Sequence, residues 1–341
     1  MRFFQSVAVC VWILVMTSTA GAQMVTFKIA SLAPDGSSWM QEARKGAAEI
    51  KERTDGRVSF RFYPGGTMGG DQMVLRKMRV GQLHGGVLLA GSLSGIDTNF
   101  EIYNLPLLFR SYAEVDYLRE RMDRSLMDGL AGGGYVAFGF VETGFTYLMS
   151  TKPTRSFADL KGRKAWMPEN DPIAKAIMDA VGLSPVPLPI SDVLTGLQTG
   201  LVDTVAAPPI GAVALQWFTK AKYVTDLPVT YVCGAIVISG KAFNRLIPSD
   251  REIVLEVLGN VTETLDKRTR TDNQQAREAL VKQGVTFVDP TDEARAQWRT
   301  VAAEATGDLI AAKRYDPQLV AEIKEILKTY REQQTPTASN N

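Results

Sequence analysis

The stretch VLRKMRVGQLHGGV, residues 74–87, aligns without a gap with VLTGLQTGLVDTVA, residues 193–206. Both open on Val-Leu, carry an apolar residue at the next turn (Met78 and Leu197), and reach a glycine, Gly81 or Gly200, followed by Leu83 or Val202. An amphipathic run that stops at glycine reads as a helix whose end needs a left-handed residue. A short strand follows in each. A chain that builds this unit twice is expected to contain two α/β halves of like construction. His84 and Asp203 hold equivalent places just before the strand, so a capping or turn role fits both.

Outward from the first copy, Val25, Phe27 and Ile29 alternate with Thr26, Lys28 and Ala30, a strand. APDGSSW follows as a turn, with Asp35 and Ser37 as candidate helix caps. Trp39, Ala43, Ala47 and Ile50 mark one face of a helix that ends at Asp55-Gly56. RVSFRFYP alternates again, so strand, helix and strand form a right-handed parallel unit. GVLLAGS reads as a third strand. In the second half VAFGFV, RKAWM, PVPLP and DTVAA are short strand candidates, and AIVIS (residues 235–239) is a buried strand suited to crossing back. From SDREIVLEVL onward the pattern is almost all helix, and QQTPTASNN is a polar frayed tail.

The 341 residues, 45% apolar and 22% charged, suffice for two full cores. Residues 1–22 read as an export leader: Met1-Arg2, the apolar run VAVCVWILVM, and the small-residue site Ala20-Gly21-Ala22. Its removal takes the formal charge of +1 to zero, because it carries Arg2 and no acid. No basic stripe recruits nucleic acid or anionic lipid. Only Cys233 remains after the leader, so no internal disulfide forms, and its apolar surroundings fit a buried small hydrophobe. No later apolar run has transmembrane length, which gives an exported, soluble chain.

Catalytic constellations are missing. His84 is the one histidine and has no partners in sequence for base catalysis, no Cys/His cluster suits a metal, and GSLSG places Leu93 where a nucleophile elbow needs serine. No cofactor fingerprint is present. Strand ends are better supplied: LAPDGSSW, GGDQ, LAGS, TGFTY, AWMPEN and AAPPIG are backbone-rich and aromatic with few fixed charges. In two facing α/β lobes such ends line a cleft. In KGRKAWMPEND, residues 161–171, the order is strand, Pro168 as breaker, then Asp171-Pro172 starting a helix, which leaves Trp166 at a strand end to read a ligand or fill a core.

These segments, in this order, resemble the periplasmic solute-binding subunits of tripartite ATP-independent periplasmic (TRAP) transporters, DctP type. FKIASLAPDGSSW, FYPGGTMGGDQMVLRKMRVGQL, NLPLLFRSYAEV, DLKGRKAWMPEN, LQTGLVDTVAAPP and AIVISGKAF carry the resemblance over nearly the whole chain. It implies a two-lobed periplasmic-binding-protein-like fold with a hinged cleft, and long helices including one that spans both lobes. It also implies no enzymatic activity, a monomer, and delivery of a small organic ligand to small and large TRAP membrane subunits. On this reading residues 23–143 plus 232–270 form lobe I, 144–231 plus 271–330 lobe II, and 331–341 a disordered tail. A ligand sensor or carrier of a lipid-like molecule, without a permease, is one alternative, and an exported enzyme on a two-lobed scaffold is the other.

The departures bear on the ligand. The family's LKG-x-K-I-R-V-P holds a substrate carboxylate through its arginine, and here Trp166 takes that place. VDGQENP commonly offers an asparagine, and here Ala207 stands there, while a second arginine near GFTY is replaced by Thr146 or Tyr147. An unpaired buried carboxylate costs several kcal/mol, whereas an indole offers an apolar face and one donor. The expected ligand is therefore aromatic or apolar rather than a simple dicarboxylate. Strand alternation puts Lys164 on the face of Trp166, which makes Lys164 the candidate substitute clamp for a displaced acid. Met167, Tyr147, Gln72, Trp39 and Trp217 complete the candidate ligand set, with Trp39 also at the spacing of a buried helix face. Trp298 reads as structural.

Overall fold

The computed structural model describes residues 24–169 and 171–334. The expected leader and the last seven residues of the expected tail lie outside them. Alternation of Val25, Phe27 and Ile29 yields β1 (Val25–Ala30), whose buried side faces a helical layer. The turn then ends at Ser37, whose hydroxyl accepts from the Met40 N–H at 3.3 Å and caps α1 (Ser38–Arg53). β2 (Val58–Tyr63) returns parallel to β1, with Val25 opposite Val58. α2 (Asp71–Arg79) leads to β3 (Gly85–Leu89), which joins the other side of β1. The short α3 (Ala90–Leu93) and the longer α4 (Tyr112–Gly132) precede β4 (Tyr135–Ser150).

The second half repeats the construction. β5 (Lys164–Met167), α5 (Pro172–Val181), β6 (Ser184–Pro187), α6 (Val193–Thr199) and β7 (Thr204–Ala207) follow one another. Asp171 caps α5, accepting from the Ala174 N–H at 2.8 Å. β5 pairs in parallel with β6 on one side and β7 on the other, as β1 does with β2 and β3. α7 (Pro209–Ala214), β8 (Tyr223–Ser239), α8 (Gly240–Phe243), α9 (Pro248–Lys282), β9 (Thr286–Val288), α10 (Asp292–Ala311) and α11 (Pro317–Gln334) complete the chain. The sheet order is β2-β1-β3-β8-β4-β7-β5-β6, with β9 on β8. This order is symmetric about the central antiparallel pair β8 and β4.

The internal match extends to hydrogen bonds. Gly81 and Gly200 both have φ of 74°. The His84 N–H donates to the Lys28 carbonyl at 2.9 Å, and the Asp203 N–H to the Lys164 carbonyl at 2.9 Å. In return the Lys28 N–H donates to His84 Nδ1 at 3.2 Å, and the Lys164 N–H to Asp203 Oδ1 at 3.1 Å. Imidazole and carboxylate thus do one job: each accepts the N–H at the equivalent point of its half's first strand. Burial holds the His84 pKa below its usual value, which suits an acceptor nitrogen. A Cβ built at either glycine meets nothing within 4 Å, so Gly81→Ala and Gly200→Ala pay only for the left-handed backbone. Each is expected to lose about 1 kcal/mol, additively, in urea unfolding.

Several expectations need correcting in extent. VAFGFV and AIVIS are parts of strands of 16 and 17 residues that run through both halves of the sheet. The helical C-terminal region is interrupted by β9. α11 continues to Gln334, so residues 331–334, expected in the tail, are helical, and Arg331 is paired there with Glu114 at 2.7 Å. α9, with 35 residues, is about 50 Å long. Its Val254, Val257, Leu258 and Leu265 pack into the core around β1, and its Leu280 into the core around β7.

Candidate functional site

Parallel strands end toward the middle of the sheet in both halves. Leu89 at the end of β3 lies opposite Gly234, and Ala207 at the end of β7 lies opposite Tyr147. Between these points only β4 and β8 continue, and their register shifts between Glu142/Gly144 and Thr146/Tyr147. Gly144 adopts φ of 109° there. The loops after β1, β2 and β3 therefore approach those after β5, β6 and β7 across a two-stranded floor, the place where open α/β sheets take ligands.

The floor is neutral on one side and ionic beneath. Thr146 Oγ1 lies 2.6 Å from Thr230 Oγ1 across the strands. Along its first part β4 lacks a second strand neighbour, and helix side chains take the free backbone groups. Thr262 donates to the Phe138 carbonyl (3.1 Å), Arg119 to that of Phe140 (3.3 Å) and Asn273 to that of Thr143 (2.9 Å), while Asp266 accepts the Glu142 N–H (2.7 Å). This satisfies an edge that would otherwise be open. The buried Glu142 carboxylate is held by Arg270 and, at 3.4 Å, by Arg119, which also reaches Asp123 at 3.0 Å and Asp266 at 2.7 Å. Burial pushes the Asp266 carboxyl up to about 6, against the pull of Arg119.

The candidate residues fall into three groups. Tyr147 and Ala207 meet directly as a cross-strand pair. Tyr147 is half-buried, packs against the cores of both halves, and has its phenol pKa raised by burial. Met167 is half-buried at the end of β5, and Gln72 is exposed at the start of α2, with Nε2 3.5 Å from the Ser92 carbonyl.

Trp166 and Trp217 turn inward. Trp166 is 6% exposed, its Nε1 donates to the Leu188 carbonyl at 2.9 Å, and its ring meets that of Trp217 edge-on at 5.0 Å and 74°. Both sit among Val193, Leu197 and Val205, and Trp217 Nε1 has no partner among the described residues. Trp166 fills a core in this structure.

Lys164 and Trp39 lie elsewhere. Lys164 begins β5, two residues or about 7 Å up the strand from Trp166, on the side away from the strand end. Its Nζ donates to the Gly200 carbonyl at 3.0 Å. Trp39 packs at the margin of the core shared by β1 and α9.

Sequence reasoning passed over Asp71 and Glu142. Asp71 is 8% exposed at the start of α2 and accepts the Leu89 N–H at 2.9 Å, so it fixes the end of β3; burial pushes its carboxyl up. Glu142 was legible as a lone acid inside the apolar run FVETGF. Among the described residues no cluster suits a metal ion, and no helix is long and apolar enough to cross a membrane. Cys233 is fully buried, its thiol pushed up by burial, and Trp298 packs on Phe157.

Comparison with known proteins agrees with this layout. The family "Bacterial extracellular solute-binding protein, family 7" (DctP) matches residues 29–313. The C4-dicarboxylate-binding periplasmic protein DctP of Rhodobacter capsulatus is 27% identical over 292 residues, 82% of this chain and 85% of that protein. A TRAP periplasmic solute-binding protein of Haemophilus influenzae, solved with L-gulonate, superposes with a TM-score of 0.83 at 19% identity, over 89% of this chain and 99% of the other. One from Desulfovibrio salexigens, solved with orotic acid, gives 0.79 at 22% identity over 90% and 97%. With its two mirrored α/β halves, the chain belongs to the DctP family of bacterial extracellular solute-binding proteins and has the fold of TRAP periplasmic solute-binding proteins.

Proposed function

We propose that this protein captures a small organic solute between its two halves in the periplasm and delivers it to TRAP membrane subunits, and that the solute is aromatic or apolar rather than a simple dicarboxylate. The observation that carries the second part is the fate of the three recognition positions. The residue in the family's arginine place, Trp166, is turned into a core with its N–H engaged; of the two residues near the second arginine's place, Thr146 is paired with Thr230 and Tyr147 offers a neutral phenol; Ala207 has no polar group. Lys164 is held at the far end of its strand. Arg277, which acts on the Tyr147 phenol, is already paired with Asp226, so a carboxylate desolvated there would have no free cation at these positions, at a cost of several kcal/mol. Closure follows from a hinge at residues 143/144 and 231/232, where the β4–β8 register shifts, with the half built on β1–β3 moving against the half built on β5–β7.

A second reading, an acid held by other groups, draws on the relatives. Those named above bind a C4-dicarboxylate, L-gulonate and orotic acid. Orotic acid joins a flat ring to a carboxylate, so an aromatic acid satisfies both readings in part.

Thermal melting of the protein, refolded to remove carried-over ligand, separates them. A ligand at 100 times its Kd adds about 2.7 kcal/mol to the native state, a rise of several degrees. Aromatic or apolar solutes are expected to raise Tm while succinate does not. A shift with succinate alone would overturn the proposal.

A further inference from the structure

A groove lined by none of the candidate ligand residues lies between residues 105–110, α10 and α11, with a volume of about 550 Å³. That is the size of a small-molecule site. Leu105, Leu108, Ala302 and Leu327, each no more than 8% exposed, form its apolar floor. Its rim carries Arg110, Arg299 and Lys324, all exposed, and none joins an ion pair among the described residues. The other two cations on the rim are already occupied: Lys328 lies 3.3 Å from Glu325, and Arg331 holds Glu114 at 2.7 Å and donates to the Leu108 carbonyl at 2.8 Å. Among the described residues Glu332 is the only carboxylate lining the groove, 4.0 Å from Lys328.

The groove is built from both halves. α11 packs Val320, Ile323 and Leu327 into the core beside α4, while α10 lies along α5 and seats Trp298 against Phe157. Residues 105–110 are tied to β8 through the Leu107 N–H and the Val229 carbonyl, at 2.9 Å.

We propose that this groove is a second binding site, for an amphipathic monoanion of the medium-chain carboxylate class. Three cations gathered on one rim repel each other until an anion screens them. The recessed apolar floor disfavours a fully hydrated ion and rewards an alkyl or aryl body. Anionic lipid presents the same chemistry. Among the described residues no large hydrophobic side chain that stands exposed lies on this rim to insert into a bilayer, which favours the free carboxylate. Because the walls come from both halves, an occupant also touches both at once.

The test is calorimetric titration of the refolded protein with decanoate, decanol and acetate, with sedimentation of phosphatidylglycerol vesicles alongside. Saturable decanoate binding is expected, with decanol and acetate at least tenfold weaker and no vesicle association. The double variant R299E/K324E should weaken decanoate at least tenfold, whereas Ala207→Arg, aimed at the junction of the halves, should not. Arg110→Glu, on a loop, repeats the test should the helix variant melt early by circular dichroism. Absence of saturable binding, equal binding of decanol, or loss in Ala207→Arg with retention in R299E/K324E would each overturn the proposal. Vesicle binding that depends on Arg299 and Lys324, without decanoate binding, would overturn it in favour of lipid. The readout is independent of the solute bound between the halves, so either assignment can fail alone.

Discussion

Replacing Arg119 by methionine is expected to destabilise the protein by about 3–5 kcal/mol at pH 8, and by less as the solution is acidified. Methionine keeps much of the apolar stem, so lost packing contributes little. The Arg119 side chain is 12% exposed, and its guanidinium touches Asp123, Asp266 and Glu142, the last with no exposed side-chain surface, as well as the Phe140 carbonyl. Arg270 remains, but it is shared between Glu142 and Asp116. Its removal therefore strands buried carboxylates beside an unpaired carbonyl, which is the costly direction for an ion cluster.

The pH dependence follows from the sign of the carboxyl shifts. Burial already holds Asp266 at about 6 and Asp123 above its ordinary value while Arg119 pulls both down. Without that pull both folded-state values rise further above the unfolded one. An acid whose folded pKa is raised weakens the fold most at pH above that pKa. It recovers stability as pH falls toward the unfolded value, because the native state then binds more protons. Urea unfolding at pH 8, 6.5 and 5 should show the deficit of Arg119→Met shrinking. A deficit below 1 kcal/mol, or one flat with pH, would mean that the cluster is not what supports the free edge of β4.

Trp166→Ala should lower the stability of the unliganded protein by about 3–5 kcal/mol, the range for removing a buried indole. Three losses combine: the cavity left among Val193, Leu197 and Val205, the edge contact with Trp217, and the donor to the Leu188 carbonyl. Trp166→Phe keeps a ring and loses the donor, and should cost less, about 1–3 kcal/mol. The measurement is the denaturation midpoint without ligand. A scarcely changed midpoint, together with loss of every ligand-induced rise in Tm, would place the indole on the solute and contradict its burial. A large loss in the unliganded protein would assign the position to packing.

Local signals were legible to within a residue or two. Ser37 and Asp171 cap where their spacing predicts, because a cap needs only a short side chain and the next turn of backbone. Gly81 and Gly200 end matching helices because the left-handed turn is a property of one residue. The lengths of β4 and β8 were hidden for an equally local reason. Gly139, Gly144 and Pro228 interrupt the pattern, and the burial of each strand changes as it leaves one half and enters the other. The strand of Lys164 and Trp166 was legible, but its burial does not alternate: Ala165 and Trp166 are both buried and Lys164 is exposed. Alternation could not say that Lys164 sits at the opposite end from the junction, where the Gly200 carbonyl holds it.

By itself the sequence determined the two α/β halves, their matching construction and the helix ends, since each depends on spacing or on residue type alone. Only the tertiary structure decided which way Trp166 faces, that Trp217 lies against it, and that Arg119, Asp266 and Arg270 gather on Glu142. The reason is separation along the chain: the Trp166 donor finds its acceptor 22 residues away, and Arg270 reaches Glu142 across 128. No periodicity carries information over that distance until packing brings the elements together.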